Sequence, residues 1–183
     1  MIKNQNQKRK VKILCIDPGT REMGVAFLED WELLDYGVKT IKRDLISLAK
    51  KPRNRKALFR HLEEIITRLI EEKSPDIIAI EKNLFSQNRN NLILALAVAK
   101  IKEIAKREKV SVVEYNPRTV RKTICNNGNA TKKELARTIA MDYPELKVYL
   151  ESDKKWKQRY WQNIFDAIAV GLTYILKNNP TKV

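Results

Sequence analysis

Histidine occurs once in this 183-residue chain and cysteine twice. No apolar run approaches the roughly eighteen residues a membrane-crossing helix needs. A single histidine leaves no room for a His-rich metal site and argues against a Ser-His-Asp triad. Its place in a helical pattern beside Leu58, Leu62 and Ile65 marks His61 as a structural or surface residue. Cys15 and Cys125 have no CxxC spacing and no histidine cluster nearby, which argues against both zinc and a disulfide framework. Nothing at the start reads as a signal peptide, and there is no internal repeat or low-complexity block. The expectation is an intracellular, soluble protein that acts away from membranes.

Negative charge is scarce as well. Against 37 Lys+Arg stand 22 Asp+Glu, for a formal net charge of +15 and a pI near 9.8. So large an excess on a small protein favours a polyanionic partner, because neutralising phosphates releases counterions. At 183 residues with 43% hydrophobic content, the size matches one domain with a real core. That domain is expected over 11–177, after a basic tail at 1–10 and before a polar tail at 178–183.

Three short strands open the domain, at Val11 to Asp17, Gly24 to Glu29 and Trp31 to Lys39, as an antiparallel meander. A basic linker from Lys50 to Lys56 leads to an amphipathic helix over Ala57 to Glu72, with Leu58, Leu62, Ile65 and Leu69 on one face. Ile77 to Glu81 is an apolar strand in a setting that suits parallel pairing. A helix from Asn90 to Arg107 is apolar on more than one face and carries Ala95, Ala97 and Ala99, which suits a subunit contact and a homodimer. A strand at Val110 to Tyr115 and a short helix from Pro117 to Ile124 follow. Thr131 with Glu134 forms a capping box for a helix through Met141. Lys147 to Tyr160 reads as charged and irregular, and the last helix as Trp161 to Leu176. Trp156, Tyr160 and Trp161 are better suited to packing that irregular stretch than to stacking on bases. The fold class is α/β, a mixed sheet with helices packed on it.

Two apolar strands end on acids, Asp17 before a Pro-Gly turn and Glu81. A lone turn aspartate usually bonds its own backbone. Strand-end acids on adjacent parallel strands, however, lie within a few ångströms, at the edge where open α/β sheets bind ligands. Asn163 and Asp166 are three apart, hence on one helix face, near the N-terminus of the last helix. Grouped carboxylates repel, and a divalent cation resolves the repulsion. Hard oxygen donors select magnesium, or manganese in its place. Two such ions on a phosphate suit in-line hydrolysis.

Five segments in order carry a specific resemblance: Ile16-Asp17-Pro18-Gly19-Thr20 with Gly24, then Ile80-Glu81, then Tyr115-Asn116-Pro117 through Lys122, then Asn127 through Glu134, and Asp166-Ala167-Ile168-Ala169. Over roughly residues 11 to 176 the chain resembles the RuvC-type Holliday junction resolvases. The resemblance implies a ribonuclease H-like fold, with a mixed five-stranded sheet flanked by helices. It also implies a homodimer that makes paired, metal-dependent nicks in four-way junction DNA, and a branch-migration helicase as a further partner. Asp17, Glu81 and Asp166 match three of the family's metal-binding acids, and Asn163 falls where a fourth ligand is expected. Lys132 matches a lysine beside the scissile phosphate. Arg118, Arg121, Lys122 and Lys133 cluster in the same half of the chain and would hold DNA backbones. Leu84 and Phe85 lie where the family carries an apolar wedge that opens the junction.

An amide at 163 brings no charge to a cation, and the local phrase reads naturally with Asp there, as though an acid had been exchanged. Two other readings therefore stand beside the resolvase. One is a junction-binding protein with weakened cleavage. The other is a ribonuclease H-like nuclease for branched DNA or RNA–DNA hybrids, since fold does not fix substrate.

Overall fold

The computed structural model describes residues 9–19, 21–41, 55–82, 89–150 and 155–178. At its centre is β1 (Lys12–Asp17), whose residues from Ile13 to Asp17 are all buried. β2 (Glu22–Glu29) and β3 (Glu32–Thr40) continue from it as an antiparallel meander. After α1 (Arg55–Lys73), β4 (Ile77–Glu81) pairs parallel to β1 on its other side. α2 (Arg89–Arg107) then leads to β5 (Ser111–Tyr115), parallel to β4. The order β3-β2-β1-β4-β5 gives the mixed five-stranded sheet with flanking helices that was expected.

Strand alternation divides the core in two. Leu14, Ile16, Val25, Ile78 and Ile80 face one way, onto Ile66, Leu69 and Ile70 of α1 and Ile101 and Ile104 of α2. Ile13, Cys15, Ala26, Leu28 and Ala79 face the other way, onto α4 (Lys132–Asp142) and α5 (Lys155–Asn178). The α5 side is built of smaller residues, and the reason is the helix it receives. A Cβ on Gly24 would lie 1.9 Å from the carbonyl oxygen of Asn163 in α5, and one on Gly171 would lie 2.2 Å from Cys15 Sγ. The two glycines let α5 lie directly on the sheet.

Gly24→Ala should therefore lift α5 from β2. Overpacking of this kind costs about 1–3 kcal/mol or more. For a protein of this size each kcal/mol appears as about 2–4 °C in Tm. Thermal unfolding of Gly24→Ala against Gly37→Ala tests it, since a Cβ on Gly37 meets nothing within 4 Å. Equal midpoints would contradict the close approach.

Two expectations about the C-terminal third need correction. The stretch expected to be irregular, Lys147 to Tyr160, overlaps a 3-10 helix at Pro144–Tyr149 and includes the opening turns of α5, which begins at Lys155 rather than Trp161. Lys, Gln and Arg are good helix formers and no Pro or Gly interrupts 155–161, so the helix starts in charged sequence with no apolar period to announce it. Asn163 and Asp166 accordingly sit roughly two to three turns inside α5, not near its N-terminus. β2 likewise starts at Glu22, two residues before Gly24. At the other end of the domain, Arg9 Nη2 donates to Asp76 Oδ1 at 2.7 Å and Lys10 Nζ to Glu32 Oε2 at 3.2 Å. Among the described residues, no helix is long and apolar enough to cross a membrane.

Candidate metal centre and nucleic-acid interface

The register of the two central strands decides where the acids meet. Ile16 pairs with Ile80, so Asp17 and Glu81 end their strands side by side. Asp17 shares the strand face of Ile13 and Cys15, and Glu81 that of Ala79, so both point toward α5. Asp166 of α5 meets them there. One carboxylate oxygen from each of Asp17, Glu81 and Asp166 lies within 4.8 Å of the other two. Asp17 is 8% exposed and Asp166 4%.

Three acids this close carry a visible electrostatic cost. Burial, then the charges of Asp166 and Glu81, push the Asp17 carboxyl well above its ordinary value of 3.8. Burial and Asp166 also push Glu81 up, while its hydrogen bond to Asp17 and the charges of Lys132 and Arg121 pull the other way. The remedy is cationic. Hard oxygen donors, two of them buried, fit a divalent metal and poorly suit a softer ligand.

Lys132 opens α4, and the capping box fixes how it leaves the turn. Thr131 N–H donates to Glu134 Oε2 at 2.6 Å and Glu134 N–H to Thr131 Oγ1 at 3.2 Å. From there Lys132 Nζ reaches Asp166 Oδ2 at 2.6 Å. Burial opposes its charge, yet Asp166, Asp17 and Glu81 together hold its pKa raised. Asn163 is half-buried, with its backbone against Gly24, the cross-strand partner of Asp17. One residue was missed from the sequence. Gln162 Nε2 donates to Asp166 Oδ1 at 2.9 Å. Its spacing of four from Asp166 on a helix was the available signal.

Of the basic residues singled out from the sequence, Arg121 joins Lys132 near this cluster. α3 (Pro117–Cys125) is capped by Asn116, whose Oδ1 accepts from Thr119 N–H at 2.8 Å. Arg121 lies close enough to act on Glu81. Lys122 lines an open cleft with Thr119, Thr123, Asn126 and Lys177. Arg118 lies over Gly128, where an added Cβ would come 3.0 Å from its Cγ. Lys133 is exposed at the start of α4. Leu84 and Phe85 lie outside the described residues. Trp161 packs at a tilt against Tyr149, 4.6 Å between ring centroids, and edge-on against Tyr160 at 4.7 Å, which makes it packing for the 3-10 helix. His61 belongs to α1, on the opposite face of the sheet.

Comparison with known proteins gives a consistent result. The family model described as crossover junction endodeoxyribonuclease RuvC matches residues 13–174. A curated RuvC of Akkermansia muciniphila is 27% identical over 94% of this chain and 95% of its own length. One from Bacteroides fragilis is 32% identical over 72% of this chain and 68% of its own length. Among solved structures, Thermus thermophilus RuvC in complex with a Holliday junction substrate superposes with a TM-score of 0.70 at 18% identity, covering 93% of this chain and 96% of that one. The yeast mitochondrial Holliday junction resolvase does so with a TM-score of 0.68 at 12% identity, covering 93% and 82%.

Proposed function

Because the chain belongs to the crossover junction endodeoxyribonuclease RuvC family, we propose that it is a Holliday junction resolvase, nicking paired strands of four-way DNA by metal-dependent phosphodiester hydrolysis. The observation that carries this is the meeting of Asp17, Glu81 and Asp166 at the carboxyl ends of β1 and β4 under α5. These three, with Asn163 beside them, would hold two magnesium ions, or manganese in their place. When bound, the ions supply the positive charge that activates water and offsets charge on the leaving oxygen. Lys132, already on Asp166, is placed to neutralise charge that builds on the phosphate.

Arg118, Arg121, Lys122 and Lys133 would hold the DNA backbones, positioning the junction without reading its sequence. Leu84 and Phe85 remain the proposed wedge. The nuclease domain is taken as 11–177, active inside the cell on nucleic acid, with a branch-migration helicase as a candidate partner. α2 supports the homodimer. Leu92 and Ala99 are exposed and Ala95 and Leu96 half-buried, an apolar stripe at helical spacing away from the core. Two sites related by a two-fold axis are what paired nicks require.

Binding separates this reading from a general nuclease. In chelator, the protein should prefer a four-way junction to linear duplex by roughly tenfold or more. Light scattering should find two chains per junction. Equal affinity for duplex, or one chain per junction, would contradict it.

A further inference from the structure

Both oxygens of Asp166 meet a donor, and the two donors differ in kind. Lys132 arrives from α4 on a long stem, its side chain 58% exposed, carrying the same charge as any cation entering the cluster. Gln162 is neutral and stands one turn before Asp166 on the same helix, its Nε2 at 2.9 Å from Oδ1. The last torsion of an aspartate is soft and nearly two-fold. The backbone of α5 therefore brings the Asp166 carboxylate to the site without fixing the plane in which its lone pairs lie. A donor on each oxygen does fix it.

The geometry points to Gln162 as a positioning residue that orients the Asp166 carboxylate toward a divalent cation shared with Asp17 and Glu81. The inference rests on the metal centre proposed above. The residue type fits the task. A cationic donor at 162 would repel the incoming ion, and a carboxylate there would add to a cluster already short of positive charge. An amide orients the ligand and leaves the field of the site unchanged. It also shares one rigid helix with Asp166, so its aim does not depend on how α4 and α5 dock.

Manganese binding by the full-length protein, followed by calorimetry and by the electron paramagnetic resonance of the ion, tests this without reference to cleavage. Gln162→Met keeps length and volume but removes the donor. Outer-shell partners of ligands are worth ten- to a hundredfold in metal affinity, so a loss on the order of tenfold is expected. The metal-free Tm should fall only by the few degrees that one lost donor to a buried carboxylate costs, and junction affinity in chelator should stay as in the unaltered chain, whereas a merely structural role would leave the metal affinity and the resonance of the bound ion unmoved. An unchanged manganese affinity in Gln162→Met would overturn the inference, with Gln162→Ala judged by the same criterion should the first variant fold poorly. The metal centre has its own control in Asp17→Asn. If that variant binds manganese as the unaltered chain does, the centre itself is wrong and the positioning role falls with it.

Discussion

Asp17→Asn should slow nicking severely and yet make the metal-free protein more stable at neutral pH. The loss of activity is expected at roughly a hundred- to a thousandfold, the scale of removing one preorganised electrostatic group. The gain in stability follows from the crowding. Asp17 is buried beside Glu81 and Asp166, and its carboxyl is held well above the ordinary 3.8 by burial and by those two charges. An acid whose pKa is raised on folding binds more protons in the native state than in the unfolded chain. Stability therefore falls as pH rises from the ordinary carboxylate value to the raised one, and the whole penalty is present above that window. Removing the group at pH 7 to 8 removes the penalty.

Magnesium should reverse the ranking. It stabilises the unaltered chain by mass action and has less to hold in the variant. Thermal unfolding with chelator and with magnesium checks both signs. A lower midpoint for Asp17→Asn in chelator would mean that the acids are not in conflict in the folded protein.

Asn163→Asp should show the opposite pattern, with faster nicking at limiting magnesium and a less stable metal-free fold. The backbone of position 163 lies over Gly24, across the strand pair from Asp17, so a charge there is expected to join the cluster. Attraction between an added carboxylate and a divalent cation about 4 Å away is worth about 8 kcal/mol at an effective dielectric near 20, twice the value for two unit charges. Much of that is offset because the new carboxylate loses its own hydration and, crowded by Asp17, Glu81 and Asp166, must release a proton before it holds the ion. A net gain of roughly tenfold in metal affinity is the expectation, the lower end of what ligand-shell changes produce. The magnesium concentration at half-maximal nicking reads it directly. The same half-maximal concentration for both chains would mean that Asn163 does not face the ions.

These opposed signs come from features that were legible to different degrees. Asp17 and Glu81 stood out in the sequence because an apolar strand that ends on an acid is costly unless something receives the charge. Parallel pairing of their strands then dictates their meeting. The succession of strands and helices along the chain and the capping box at Thr131 were equally plain, since each follows from local pattern and short-range hydrogen bonds. The start of α5 was not. Its first turns are charged, and periodicity is silent where a helix buries nothing. The setting of α5 on the sheet was hidden for another reason. Gly24 reads as a strand start and Gly171 as a weak helix residue until the partner surface is known, because close approach is a property of two elements at once. Gln162 was missed because its role is defined by the acid it orients and by no motif of its own.

We expect this chain to cut four-way DNA through a metal centre at Asp17, Glu81 and Asp166. The most direct test is nicking of an end-labelled synthetic four-way junction by the unaltered protein, with magnesium or manganese, against a linear duplex of the same sequence. Paired nicks should appear at symmetry-related positions in the junction, with none in the duplex, and should be lost in chelator. Nicks that persist in chelator, or that fall equally on the duplex, would contradict this expectation.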